Sequence, residues 1–326
     1  MWVFLPVVGI SINVLLLIGV GTFVGFMTGL LGVGGGFLLT PLLMLMGIPP
    51  TFAAASDSCQ IVAASSSGVA AHFRLGNVDF KMGIVLLLGG LAGAGVGVQL
   101  IKVLRAMGNA DFLITMTYIV VLGSVGASMF GASLKNLRRG PMADKSHRTV
   151  AKTSLLKRLP LQVYFPRSNV RHSILAPFFL CVVVGVLAAV MGVGGGFMIV
   201  PVMVYVLGMP AHVAIGTSLF QILFTCAGVT YMQSTTNHTV DLVLALLLAA
   251  GSTVGAQVGA RVTRFLRGDQ LLIILATLAL LVALKMVFGI FSTPGNLLAP
   301  TAVHASLEWH RAPGLYSCLF GGLTNV

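Results

Sequence analysis

The sequence predicts an all-α polytopic membrane protein that is built from two homologous repeats. Of its 326 residues, 57% are hydrophobic and only 8% are charged, and the mean hydropathy is +1.02. Such a chain has too few charges to cover a water-soluble globule of this size. Its apolar segments are long, and a Gly-rich stretch occurs twice, as LLGVGGGFLLTPLL and as VMGVGGGFMIVPVM.

The apolar segments predict the transmembrane helices. Those that approach the roughly 20 residues needed to cross hydrocarbon cover residues 9–32, 82–101, 112–132, 173–191, 242–260 and 271–291. Two more segments, 51–73 and 211–234, contain Ser, Thr and Gln but almost no charge. We therefore expect about eight long transmembrane helices. The first ten residues, MWVFLPVVGI, contain no basic residue of the kind that opens a signal peptide. We therefore interpret them as part of the first span and not as a cleaved signal peptide.

The two Gly-rich stretches belong to an internal duplication. Residues 32–41 and 192–201 share seven identities in ten positions. With one extra residue in the second copy, Gln60 faces Gln221. The predicted organisation is a first repeat at 1–132, a linker at 133–172, a second repeat at 173–291 and a tail of unknown role at 292–326.

Each GVGGG is followed by a short apolar piece that ends at Gly47 or Gly208. This piece is too short to cross hydrocarbon as a straight helix. If the piece is a re-entrant hairpin that returns to its own side, each repeat crosses the membrane an even number of times and the two repeats are parallel. If it is half of a broken helix that completes a crossing, each repeat has an odd number of crossings and the repeats are inverted. If the linker is cytoplasmic, the basic residues near Arg261 favour inverted repeats, because positive loops stay inside.

Most of the formal net charge of +12 lies in the linker. Residues 133–172 hold ten Lys and Arg residues against Asp144 alone, which is +9 of the total. A loop of this length is in the range where Lys and Arg set orientation, so we expect it to face the cytoplasm from the inner membrane. Contact with anionic lipid is the alternative, and no nucleic-acid partner is expected.

The glycine clusters are candidates for an anion site. Consecutive glycines can turn their N–H groups toward one point, and the helix that follows presents its positive end there. Two such ends that meet at one cavity are typical of secondary transporters. The candidate residues are Gly34, Gly35, Gly36, Gly194, Gly195 and Gly196. The alternatives are close helix packing and a nucleotide loop, which the absence of a following Lys-Ser or Lys-Thr disfavours.

Neutral polar side chains follow each glycine cluster. Gln60 and Gln221 occupy the same place in the two repeats, and Ser56, Thr217 and Ser218 lie beside them. Amides and hydroxyls can donate to a small oxyanion and cost less to bury than ammonium groups. Hydrogen bonding between helices is the alternative role.

Three ionisable residues are candidates for coupling or gating. Asp57 lies in an apolar span, where a charged group is expensive; beside an anion site it is expected to be protonated or to carry a coupled proton. A helix-end cap or a water-exposed position near the rim is the alternative. Lys285 either faces the cavity or snorkels to the surface, and Arg261 is a candidate gate. No catalytic or metal-binding spacing is present, so we expect no enzyme activity, metal or cofactor.

GLLGVGGGFLLTPLL and AVMGVGGGFMIVPVM resemble the paired signatures of the TauE/SafE family of sulfite exporters, and GIPPTFAAASDSCQIVAASSSG resembles the family's polar block. The resemblance implies an inner-membrane permease that moves sulfite or small organosulfur anions, usually outward, with the site at the paired glycines and the two Gln residues. A passive anion channel and a membrane subunit of a larger complex are the alternatives. The coupling ion, a proton or another ion, and the oligomeric state stay open.

Overall fold

The computed structural model describes residues 2–5, 10–108, 110–138, 162–165, 170–237 and 240–292. Two units are distinguished, Met1–Met286 and Val287–Val326, and of the second only the end of the last helix is described. The predicted tail beyond residue 292 and the middle of the predicted linker lie outside the described residues.

Ten α-helices form the described chain. They are α1 (Val14–Leu31), α2 (Gly36–Leu45), α3 (Pro50–Arg74), α4 (Phe80–Ala106), α5 (Ala110–Arg138), α6 (Leu175–Met191), α7 (Gly196–Pro201), α8 (Ala211–Met232), α9 (Leu242–Thr263) and α10 (Gly268–Ser292). Short π-helical segments, Val202–Val206 and Gln233–Asn237, extend α7 and α8. Both series, α1–α5 and α6–α10, consist of a helix, a short helix that begins at a glycine cluster, and three further helices.

Six of these helices are long and apolar enough to cross a membrane, namely α1, α4, α5, α8, α9 and α10. The prediction of an all-α multi-pass membrane protein is therefore confirmed. Helices also form at the other two predicted spans, but α6 has 17 residues and α3 contains polar side chains, among them Asp57, Gln60 and His72.

The start of the chain is a β-hairpin, and the prediction that it belongs to the first span is wrong. Strands β1 (Trp2–Leu5) and β2 (Ile10–Asn13) pair antiparallel, with Trp2 opposite Asn13. The Asn13 side chain accepts the N–H of Leu15 at 3.0 Å and caps α1. Pro6 lies between the strands, and proline and its preceding residue favour extended chain over helix.

A second hairpin of the same form lies inside the predicted linker. Strands β3 (Gln162–Phe165) and β4 (Val170–Ser173) pair antiparallel and lead into α6. At the other end of the linker, α5 continues to Arg138. The linker therefore contains regular structure at both ends, which its basic composition did not predict.

The chain turns back on itself at each glycine cluster. Gly32 ends α1 with φ 71°, and Gly35 precedes α2 with φ 77°. A Cβ atom built on Gly35 would lie 2.6 Å from Cγ1 of Val24, so the start of α2 lies beside the last turns of α1. At the second cluster, a Cβ on Gly195 would lie 2.8 Å from Cγ1 of Val184. The chain therefore reverses direction at each buried cluster, between α1 and α2 and between α6 and α7.

Helices of the two halves of the chain, α1–α5 and α6–α10, pack closely against each other. In α1, Gly21 meets the backbone of Leu248 and Gly29 meets that of Ala256, so α1 runs parallel to α9 of the other half. In the same way α4 runs parallel to α6, because Gly89 meets Phe178 and Gly97 meets Val186. Glycines allow helix backbones to approach this closely, as is common between helices in membranes. The first helix of each half therefore packs on the fourth helix of the other half.

Two buried hydroxyls fix the starts of α4 and α9. The N–H of Asp79, the N-cap of α4, donates to Oγ1 of Thr217 at 3.0 Å. The N–H of Asp241, the N-cap of α9, donates to Oγ of Ser56 at 2.9 Å. Each hydroxyl comes from the other half, so these bonds bind the halves together and satisfy backbone donors that are buried away from water.

The close approach of α4 and α6 predicts the effect of adding one methyl group. A Cβ on Gly93 would lie 2.9 Å from the backbone N of Val186, whereas a Cβ on Gly95 would meet nothing within 4 Å. Gly93→Ala should therefore destabilise the protein by about 1–3 kcal/mol through overpacking. Gly95→Ala should be neutral or slightly stabilising, because alanine is the better helix former. Thermal unfolding in detergent gives the melting temperatures of both variants. Equal melting temperatures would contradict the close approach of α4 to α6 at Gly93.

Candidate functional site

The two glycine clusters lie buried at the centre of the described unit. Every residue from Gly32 to Gly36 and from Gly192 to Gly196 is buried. Gly34 and Gly35 have φ of 82° and 77°, and Gly194 and Gly195 have φ of 70° and 79°. These left-handed conformations are costly for any residue with a Cβ atom, so glycine is required at these positions.

The two clusters touch each other directly. A Cβ on Gly36 would lie 2.8 Å from Cα of Val193, and a Cβ on Gly196 would lie 2.5 Å from the carbonyl oxygen of Val33. Next to them, the rings of Phe37 and Phe197 stack with centroids 6.1 Å apart. The starts of α2 and α7 are thereby brought to one place, where their N-terminal dipoles favour negative charge.

A serine from the opposite half holds the end of each helix that precedes a cluster. Ser218 of α8 donates to the carbonyl oxygen of Gly32 at 2.6 Å, and Ser58 of α3 donates to that of Gly192 at 3.2 Å. Tyr118 of α5 adds a bond to the carbonyl oxygen of Met191 at 2.6 Å. These groups satisfy backbone carbonyls that would otherwise be buried without a partner.

Three of the predicted site hydroxyls thus have structural partners. Ser218 holds Gly32, and Ser56 and Thr217 accept the backbone N–H groups at the starts of α9 and α4. All three lie on α3 and α8. Ser218 donates its proton to a backbone carbonyl, whereas Ser56 and Thr217 each use a lone pair. The sequence did not distinguish Ser58 from Ser56, because both serines lie in SDSCQ.

The two glutamines differ in their environment. Gln221 donates from Nε2 to Oγ1 of Thr225 at 2.7 Å, and its Oε1 has no partner among the described residues. Gln60 is fully buried, and neither its Nε2 nor its Oε1 has a partner there. The residue four positions after Gln60 is Ala64, which cannot play the part of Thr225. A buried amide without partners costs about 1–3 kcal/mol and indicates a water or ligand at that place.

Gln60 and Gln221 each precede an isoleucine that contacts a glycine cluster. A Cβ on Gly34 would lie 3.3 Å from Cγ2 of Ile61 and 3.2 Å from Cγ2 of Ile222. The two amides therefore lie on the helices that directly line the clusters. The grouping of both glutamines with both clusters in one site stays a prediction.

Asp57 is a residue of α3, and its carboxyl group lies against the start of α2. It is fully buried, its Oδ2 accepts the hydroxyl of Thr40 at 2.6 Å, and a Cβ on Gly36 would lie 2.9 Å from that same oxygen. Its Oδ1 has no partner, and no Lys, Arg or His of the described residues forms an ion pair with it. Thr40 was missed from sequence, although a threonine one turn inside an apolar helix is a signal for such a bond.

Arg261 and Lys285 are not brought to this site. Both side chains are exposed on the outside of the described unit, Arg261 in the last turn of α9 and Lys285 on α10. The exposure of Lys285 matches a side chain that extends along the helix toward the membrane surface.

Comparison with known proteins gives one family. The model of the family described as Sulfite exporter TauE/SafE matches residues 17–286. The chain is 24% identical over 286 residues to YunE, a probable membrane transporter protein of Bacillus subtilis, and covers 98% of that relative with 85% of its own length. It is 26% identical over 280 residues to YjnA, a probable membrane transporter protein of the same organism, and this match covers 85% of the present chain and 100% of YjnA.

A plant relative matches over a shorter region. The sulfite exporter TauE/SafE family protein 3 of Arabidopsis thaliana is 33% identical over 113 residues, which is 32% of this chain and 24% of that protein. No solved structure matches.

The bond between Ser218 and Gly32 predicts a local effect on stability. Ser218→Ala leaves the Gly32 carbonyl buried without this donor and should cost about 1–3 kcal/mol. Ser66→Ala is the matched control, because Ser66 is exposed and its hydroxyl bonds only within its own helix. Thermal unfolding of both variants measures the difference. Indistinguishable stabilities would show that the serine does not hold the cluster.

Proposed function

This chain belongs to the sulfite exporter TauE/SafE family, and from that premise we propose that it is a secondary transporter that exports sulfite or a small organosulfur anion. The family match covers both glycine clusters. The relatives from Bacillus subtilis carry the names of probable membrane transporters, which supports transport as the activity and speaks against an enzyme.

We place the binding site between two inverted repeats, residues 1–132 and 173–291. Their elements follow in the same order, and the corresponding helices α3 and α8 run antiparallel: Ile61 and Ile222 meet at Gly34, and Gly68 of α3 meets Leu219 of α8. In transporters with inverted repeats, substrates bind near the midplane where discontinuous helices from both repeats meet. The paired glycine clusters are that place in this chain.

The observation that carries the proposal is the buried, unpartnered amide of Gln60, one residue before Ile61, whose side chain contacts Gly34. An oxyanion can accept from amide N–H groups and from the N–H groups at the starts of α2 and α7. Each helix start contributes about half a positive charge, so no buried ammonium is needed. The free Oε1 of Gln221 leaves that amide able to reorient toward a ligand.

The burial of both clusters supports a carrier over a channel. Solvent does not reach Gly32–Gly36 or Gly192–Gly196 in this conformation, so an anion enters only after the hairpins separate. The Ser218–Gly32 and Ser58–Gly192 bonds hold opposite ends of the site. We infer that one breaks while the other remains, which gives each side access in turn, as alternating access requires.

We also propose an orientation for the chain. The basic linker, residues 133–172, faces the cytoplasm from the inner membrane, since positive loops are retained on that side. Lipid is then the environment of the exposed apolar side chains of the outer helices, such as Phe265 and Phe288. Whether one or several copies assemble is left to experiment.

The two glutamines provide a matched test of this site. In proteoliposomes, wild-type protein should exchange radiolabelled sulfite in a saturable way, with thiosulfate or sulfoacetate as competitors. Gln60→Leu removes the free amide and should weaken apparent affinity by about tenfold. Gln221→Leu, which removes an amide already bonded to Thr225, should have a smaller effect on affinity. A wild-type protein that folds but exchanges none of these anions would sink the proposed substrate class.

A further inference from the structure

The two glycine clusters differ in one buried group. At the first, the carboxyl of Asp57 lies against the start of α2 and accepts the hydroxyl of Thr40 at 2.6 Å. Ser218 takes the corresponding place in the second half, and its hydroxyl donates to the carbonyl oxygens of Gly32 and Ile215. The positive end of α2 therefore already has an acidic partner from the chain itself, whereas the start of α7 has none at the equivalent position.

The surroundings of Asp57 offer no positive charge. The titratable side chains that interact with it from neighbouring helices are Tyr118 of α5 and Cys226 of α8. The Tyr118 hydroxyl already donates to the carbonyl oxygen of Met191. Among the described residues no basic side chain pairs with Asp57, and the Thr40 hydroxyl is its one side-chain donor. An ionised carboxylate in such a place has only Thr40 and the start of α2 to stabilise it.

We propose that Asp57 binds the coupling proton of this carrier, and that its ionised carboxylate occupies the place of the substrate at the start of α2. This inference rests on the proposed function, because it names the ion that accompanies the anion. Two negative groups cannot share one helix start, so the substrate binds there only when Asp57 is neutral.

The two oxygens of the Asp57 carboxyl group have different roles in the proposed transport cycle. A proton binds at Oδ1, the oxygen without a partner, while Oδ2 keeps its bond from Thr40. The neutral acid no longer repels an anion, and its O–H can donate to an oxygen of the substrate. After the site opens to the other side, the anion leaves and the proton leaves Oδ1, which restores the carboxylate. One proton thus moves with each anion in the same direction.

The asymmetry of the clusters fixes the stoichiometry at one proton. Ser218 cannot release a proton under physiological conditions, and no second carboxyl is described at the clusters. A divalent anion that moves with one proton still carries one negative charge. The inside-negative membrane voltage therefore favours its exit, which is compatible with export.

The test uses proteoliposomes with the interior more alkaline than the exterior and the voltage held at zero. Thiosulfate is the labelled anion, because its charge is constant near neutral pH. Wild-type protein should accumulate it inside up to about tenfold for each unit of pH difference, the limit for one proton per anion. Asp57→Asn should lose this accumulation, and any exchange that it retains should not respond to the pH difference. Asp269→Asn, which removes an exposed acid at the start of α10, should behave as wild type.

The outcomes separate this inference from the function on which it rests. If wild-type protein exchanges neither thiosulfate nor sulfite, the proposed function fails. If exchange occurs but wild-type protein does not accumulate the anion, or Asp57→Asn accumulates it equally, the proton site is refuted. Accumulation of about a hundredfold per unit would indicate two protons and would contradict the single site.

A second variant tests the same group without removing it. Thr40→Val deletes the hydroxyl that stabilises the ionised carboxylate. The pH at which exchange declines should therefore move upward in Thr40→Val, whereas exchange by Asp57→Asn should lose this pH dependence. An unchanged pH profile in Thr40→Val, in protein that melts as wild type does, would overturn the role given to Asp57.

Discussion

The backbone contact between the two glycine clusters is the constraint on which the rest of the structure depends. Gly36 and Gly196 meet the backbones of Val193 and Val33 so closely that a methyl group on either would collide. Such contact is possible only where the chain has no side chain and can adopt left-handed angles. Because the clusters follow the ends of α1 and α6, both helices end at this buried contact.

The exchange of helices between the halves follows from this meeting. Where α1 and α6 end at this common contact, each lies against the fourth helix of the other half, and glycines on both partners allow close packing. The buried caps at Asp79 and Asp241 complete the exchange, since each takes its hydroxyl partner from the other half. The result is a site whose two walls cannot move independently of the opposite half, which is what alternating access needs.

Sequence reasoning predicted the helices and the pairing of the clusters but not how hydroxyls and charges are used. The helix over 50–74 and the break at Gly34 follow from apolar length and glycine conformation, which are local properties. Whether Ser218 faces a substrate or a backbone carbonyl depends on where Gly32 is placed by the other half, and no local pattern encodes that. The hairpins at Trp2–Leu5 and Gln162–Phe165 were missed because apolar and basic residues dominated the reading of those segments.

Hydrogen exchange with and without sulfite tests the central claim most directly. If the anion binds between the paired clusters, sulfite should slow exchange of backbone amides in residues 32–39 and 192–199 together, because both helix starts donate to it. The exposed face of α5 should be unaffected. Protection of one cluster alone, or of neither while sulfite is still transported, would contradict a binding site shared by the two halves.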